Sequence, residues 1–144
     1  MLLDVPSRAV AARVMREALL WHDVALVDLC VDRVHFHLLA RFAPIDRPLR
    51  AGVATDRSAR HLVGIAKKRA ARALSDLGLV REGGVWGKRC GMRGIRDRSH
   101  QLSVARYIPR HACKGAIVWS WLKRQGLLEI PIEDLIEEAR RWRA

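Results

Sequence analysis

Cysteine is scarce in this chain, and the three present do not suggest pairing. Cys30, Cys90 and Cys113 are odd in number and widely spaced. That pattern argues for reduced thiols in a cytoplasm rather than a disulfide framework. No C-x-x-C pair occurs, which argues against a zinc ribbon or finger. Long apolar runs are missing too; the longest fall far short of the ~18 residues that span a bilayer, so no membrane-spanning segment is expected. The opening MLLDVPSRAV carries an early Asp and Pro and no apolar core, so no secretion signal is expected. Internal repeats and low-complexity stretches are absent. Acidic residues are in deficit: 15 Asp and Glu face 27 Lys and Arg, a net charge of +12 over 144 residues. Half the residues are apolar, so the chain is no disordered tail and is long enough for one domain with its own core. A folded domain this basic is expected to meet a polyanion, either nucleic acid or an anionic membrane surface.

Hydrophobic spacing predicts the elements. Ser7 is placed to cap a first helix through about Trp21, along which Val10, Val14, Ala18 and Trp21 recur at helical spacing. Residues 24–31 (VALVDLCV) and 34–42 (VHFHLLARF), separated by Asp32-Arg33, read as a β-hairpin. Residues 43–54, with Pro44, Pro48 and Gly52, read as a loop. An amphipathic helix follows over 57–77, with Leu62, Ile65, Ala66, Ala70, Ala73, Leu74 and Leu77 on one face and Gly78 placed as a left-handed cap. The glycine-rich stretch 80–95 contains a predicted strand around 85–90. Asp97 or Ser99 caps another helix through Tyr107, extending towards Cys113. Residues 126–144 form a separate amphipathic helical tail after a domain spanning 1–125. In that tail Pro131 and an acidic first turn are followed by basic residues, matching the helix dipole. A strand within residues 1–5 would complete a βαββαβ order. The expected fold is therefore α+β: a ferredoxin-like (RRM-like) antiparallel sheet, helices on one face, the helix carrying Tyr107 on the other, and the first strand short or missing.

Two groups of residues carry chemistry. In a strand, positions i and i+2 share a face, so His35 and His37 stand side by side at a spacing one divalent ion can bridge, while Phe36 and Leu38 turn to the opposite, helix-covered face. On a helix, Tyr107, the one tyrosine of the chain, shares a face with His111. A phenol can attack phosphorus if the phosphate's charge is neutralised, and a metal held by His35, His37 and His111 would supply that.

These segments resemble a known family. VHFHLLARF is similar to the H-hydrophobic-H-L-L strand of the HUH-superfamily single-tyrosine transposases. RYIPRHACKGAIVW resembles the Y-I-x-x-N-P-x-x-x-G-x-V segment of the REP-associated tyrosine transposases, and GVWGKRCGMRGIRD resembles the W…I-x-D stretch preceding it. The likeness runs from about Ser7 to Trp119. It implies a ferredoxin-like, dimeric domain that cleaves and transfers single-stranded DNA bearing hairpins. His35 and His37 would be metal ligands. Tyr107 would be the catalytic tyrosine, forming a transient 5′-phosphotyrosine and leaving a free 3′-OH. Localisation would be cytoplasmic, with the nucleoid. The resemblance implies Mg²⁺ or Mn²⁺, and an all-imidazole set favours Mn²⁺.

The chain departs from that pattern at three places. His111 stands where the family has Asn or Gln as third ligand. Pro109 lies between Tyr107 and His111, where a helix should kink or restart. The N-terminal strand is short. Candidate DNA contacts are Arg33, Arg41, Lys88, Arg89, Arg93, Arg106, Arg110 and Lys114 through phosphates, with Trp86 stacking on an unpaired base. Two rival readings are a non-catalytic single-stranded nucleic-acid-binding module on the same fold, and a structural metal site made of His35, His37 and a cysteine such as Cys30.

Overall fold

The computed structural model describes residues 3–42, 46–80, 85–87 and 90–120, without the side chains of Pro109, Cys113 and Lys114. The predicted tail 126–144 and the boundary before it lie outside the described residues. The remainder is α+β: three α-helices, a 3₁₀ helix and a three-stranded antiparallel sheet.

Helix α1 spans Val5–Trp21. Its cap is Asp4, not Ser7: the Asp4 carboxylate accepts the Ser7 N–H at 2.9 Å, and a proline sits in the first turn. Pro6 has no N–H to orphan there, so the helix starts earlier than Ser7, which is itself buried within it. Asp23 takes a left-handed conformation (φ 57°) and turns the chain into β1 (Ala25–Val31). A tight turn closed by the Asp32 N–H on the His35 carbonyl (2.8 Å) leads to β2 (Phe36–Arg41). The predicted hairpin is therefore present, with His35 as the last residue of its turn.

The third strand is β3, Ile117–Ser120, which pairs antiparallel with β1 to give the order β2-β1-β3. The strand expected around 85–90 is not there: residues 85–87 and 90 carry no strand, and 88–89 lie outside the description. Gly87 and Gly91 give this stretch little side chain with which to hold a sheet position. Ile117, Val118 and Trp119 instead bury on both faces. The first strand is likewise missing from residues 3–5. Leu3 and Asp4 lead straight into α1, although the Leu3 N–H still bonds the Arg33 carbonyl at 2.9 Å.

Helix α2 spans Ala59–Asp76, capped by Ser58 and followed by Gly78 at φ 69°. Its buried face, Leu62, Val63, Ala66, Ala70 and Leu74, packs with α1. Register then divides the sheet. Leu29, Val31, Ile117 and Trp119 join the α1–α2 core, with Phe36 and Leu38 packed against it. The other face carries Cys30 opposite His37 and Asp28 opposite Leu39, with Val118 and Ser120 on β3. A bulge between Leu26 and Asp28 resets the alternation, so Leu26 joins the first core while Val27 turns to the second.

On that second face lie α3 (Arg98–Tyr107) and the 3₁₀ helix Ile108–Lys114. Asp97 caps α3 by accepting the His100 N–H at 2.8 Å. The α-helix stops at Tyr107 and tightens to 3₁₀ where Pro109 removes a donor and crowds the preceding turn. Ile108 anchors this segment against Cys30, Leu39, Ala116 and Val118.

Candidate metal centre

Three elements bring four rings together on the second face. His35 ends the hairpin turn, His37 sits in β2, and Tyr107 and His111 come from the α3–3₁₀ junction. Ring centroids are 4.8 Å apart for His35–His37, 4.9 Å for His37–His111, 4.8 Å for Tyr107–His111 and 6.0 Å for His37–Tyr107. Each histidine can offer one ligand nitrogen, and these nitrogens lie within 4.8 Å of one another. An imidazole–metal bond is ~2.1 Å, so two nitrogens on one ion are at most ~4.2 Å apart. The 4.8 Å spread is slightly wider than that limit, and closing on one ion takes a shift of about 0.6 Å in the side chains. The switch to 3₁₀ at Pro109 does not separate Tyr107 from His111.

Burial is graded across the cluster: His111 is buried, His37 half-buried and His35 exposed. The His111 Nδ1–H donates to the carbonyls of Ile108 (3.1 Å) and Tyr107 (3.2 Å). A carbonyl only accepts, so Nδ1 carries the proton and Nε2 keeps its lone pair for a ligand. His37 is held below the ordinary histidine range, first by burial and then by the positive charge that His35 and His111 would carry; Asp32 opposes this weakly. His37 therefore favours the neutral imidazole, the form that binds metal. Tyr107 is 54% exposed.

Cys30 pairs with His37 across the strands, yet its thiol is fully buried and pushed up to about 11, chiefly by burial. A thiolate ligand there is disfavoured. Among the described residues, the metal-competent cluster is the three histidines alone.

The candidate nucleic-acid contacts divide. Arg106 and Arg110 flank Tyr107 and are exposed, and Arg33 is exposed in the turn before His35. Arg93 is exposed in the segment leading to α3. Arg41 pairs with Ala25 at the end of the hairpin away from His35. Trp86 stands apart from the cluster: it packs edge-on against Phe36 (centroids 5.2 Å), whose side chain faces the α1–α2 core. Its ring is thus used in packing rather than as a platform beside the histidines. Lys88, Arg89 and the Lys114 side chain lie outside the described residues.

Sequence reasoning missed Arg8, Asp28 and Ser120. Arg8 is buried and reaches Gly115 across the fold, a contact with no local signature. Asp28 is buried on the histidine face; burial raises its pKa, and a hydrogen bond with Ser120 partly offsets that. Its place in an otherwise apolar strand was the available signal. No helix of the described residues is long and apolar enough to cross a membrane. The chain matches no family model, no curated protein and no solved structure.

Proposed function

We propose that this protein is a metal-dependent, single-tyrosine DNA strand-cleaving and strand-transferring enzyme, with Tyr107 as nucleophile and His35, His37 and His111 as metal ligands. The observation that carries this reading is the convergence of three imidazoles with the exposed Tyr107 on one face of the sheet. That convergence depends on residues far apart in the chain, whereas each motif alone is common. The fold reading that goes with it is ferredoxin-like, with the hairpin strands and β3 as its surviving strands.

A divalent ion, Mg²⁺ or Mn²⁺ with Mn²⁺ favoured by an all-nitrogen set, would neutralise the scissile phosphate and hold it for in-line attack when bound. The chain's own residues do the rest. The Tyr107 oxygen forms a bond to phosphorus as the bond from phosphorus to the 3′ oxygen breaks. The phenolic proton passes to solvent, and the departing 3′ oxygen takes one up as a hydroxyl. The product is a 5′-phosphotyrosine, which a later 3′-hydroxyl can attack in reverse to complete strand transfer. Arg106, Arg110 and Arg33 supply positive charge around this point and hold the strand through its phosphates. A single-stranded or hairpin-bearing DNA and a second copy of the chain are the partners this reading expects.

Incubation with hairpin-bearing single strands and Mn²⁺ should yield a denaturation-resistant protein–DNA band. Tyr107→Phe should abolish the band while leaving salt-sensitive DNA binding in place. Binding by wild type without cleavage under any divalent ion would favour a non-catalytic nucleic-acid-binding module.

A further inference from the structure

Arg8 lies on α1, only 7% exposed, and its hydrogen-bond acceptors are not carboxylates. Its Nε–H donates to the Leu3 carbonyl at 2.8 Å, and its Nη1–H donates to the Gly115 carbonyl at 2.7 Å. Each carbonyl is one short step from a ligand histidine. The Leu3 N–H bonds the Arg33 carbonyl (2.9 Å), inside the turn that the Asp32 N–H closes on His35 (2.8 Å). Gly115 caps the 3₁₀ helix, and the adjoining Ala116 N–H bonds the His111 carbonyl at 3.1 Å. One guanidinium therefore ties the turn before His35 to the turn carrying His111.

A buried guanidinium is a costly way to hold two carbonyls. Burial pulls Arg8 below its ordinary value, and the Asp32 charge offsets this only in part, against Arg33. What the rigid fork of a guanidinium can supply is fixed geometry between two acceptors. Here the segments it joins belong to different parts of the chain: the His35 turn lies in the β1–β2 hairpin, and the His111 turn follows α3. Apart from Ile108, the apolar anchorage of that junction is only the partly buried Val104 and Ala105 of α3. We infer that Arg8 is a positioning residue for the histidine cluster, setting the separation between the His35–His37 pair and His111. The inference rests on the metal-site reading for its metal measurement but not for its structural one.

The test compares Arg8→Met, which keeps length and loses both donors, with Arg8→Lys, which reaches one carbonyl, in the full chain. Leu74→Ala serves as a control that lowers stability through a remote core cavity. In metal-free protein, long-range ¹H–¹⁵N correlations of the His111 ring report Nδ1 protonation and its hydrogen bonds. The expected result is a changed His111 ring signal in Arg8→Met, partial return in Arg8→Lys, and none in Leu74→Ala. With Mn²⁺ as probe, Arg8→Met should weaken binding about tenfold or more, in the range of outer-shell changes. Wild-type ring signals and wild-type Mn²⁺ affinity in a folded Arg8→Met protein would overturn the inference. If neither Arg8 variant folds, Gly115→Ala takes their place, since its added Cβ would stand 3.3 Å from the Arg8 Nη1. An unmoved His111 ring there overturns the inference equally. Should wild type bind no Mn²⁺, the metal reading fails alone, and the ring signals still decide the role of Arg8.

Discussion

The Nδ1 atom of His111 lies 3.1 Å from the Ile108 carbonyl, three residues back in the same 3₁₀ turn. This contact fixes the tautomer and leaves the Nε2 lone pair unused by the backbone, on a ring whose centroid lies 4.9 Å from that of His37. The ring that could serve as a third ligand is thus fixed in one tautomer by the backbone alone.

The first prediction concerns that ligand set. His37→Ala and His111→Ala should each reduce Mn²⁺ affinity by more than the roughly 10–100-fold typical of outer-shell changes, as measured by calorimetric titration. His35→Ala should cost less, because His35 is exposed and must be ordered on binding. Equal affinity in wild type and His111→Ala would remove His111 from the set.

The second concerns the thiol beneath His37. Cys30 is fully buried with its pKa raised to about 11. It should resist iodoacetamide at neutral pH until the protein is unfolded, whereas the partly exposed Cys90 should be modified in the native state. Cys30→Ala should leave Mn²⁺ affinity unchanged within about twofold, and a Co²⁺-loaded sample should show no sulfur-to-cobalt charge-transfer band. A strong band of that kind would revive a Cys-containing site.

Much of this arrangement was legible in the chain because it depends on local spacing. The alternation in 34–42 separates His35 and His37 from Phe36 and Leu38, and the pleat delivers that separation. Pro109 predicts a break after Tyr107, and the helix tightens there for the reason proline gives. What could not be read depends on distant partners. Ile117, Val118 and Trp119 are apolar in succession and the whole strand is buried, so periodicity could not distinguish it from other core segments. Trp86 looked available for stacking because its partner, Phe36, comes from another element. Arg8 carries no local signal in the chain, because Leu3 and Gly115 are its partners only in the fold.

The third prediction is a pH dependence of stability. His22 is 3% exposed, and its Nδ1 accepts the Ala54 N–H at 3.1 Å, so the native imidazole is neutral. Burial first, then the charges of Arg69, Arg57 and Arg50, hold it below its ordinary value. The unfolded chain therefore takes up the proton first as pH falls below about 6.5. The contribution of His22 to stability is present above that pH and is lost as pH drops towards the depressed native value. Thermal melts between pH 7.5 and 5 should show Tm falling on acidification, with a shallower fall in His22→Asn. Identical slopes would show that other groups dominate.

The fourth compares two glycines. Gly78 (φ 69°) and Gly115 (φ 84°) both need left-handed backbone, which costs a residue with a Cβ roughly 1–2 kcal/mol. A Cβ at Gly78 would meet nothing within 4 Å, whereas one at Gly115 would stand 3.3 Å from the Arg8 Nη1. Gly78→Ala should show backbone strain alone. Gly115→Ala should be the less stable of the two in urea unfolding, and only it should lose Mn²⁺ affinity.

The last prediction separates stability from function at α3. This helix has no fully buried residue, only Val104 and Ala105 partly buried against the Ile108 cluster, so its order leans on its cap and on its junction with the 3₁₀ helix. At the cap, the Asp97 carboxylate accepts the His100 N–H at 2.8 Å, and the His100 Nδ1 accepts the Arg96 N–H at 3.1 Å. Removing an N-cap side chain typically costs about 1 kcal/mol. In α3 that loss should appear as local fraying rather than global unfolding, because the main core lies on the other face of the sheet. Asp97→Ala should therefore speed amide hydrogen exchange across Arg98–Tyr107 and lower the yield of covalent DNA adduct, with Tm nearly unchanged. Asp97→Asn, which keeps an acceptor oxygen, should restore both. Ser58→Ala offers the contrast: Ser58 caps α2, whose buried face belongs to the core, so the same loss should appear in Tm and leave adduct yield alone. If Asp97→Ala left exchange and adduct yield at wild-type values, Tyr107 would be held by its 3₁₀ neighbours alone, and the helix before it would have no part in aiming the nucleophile.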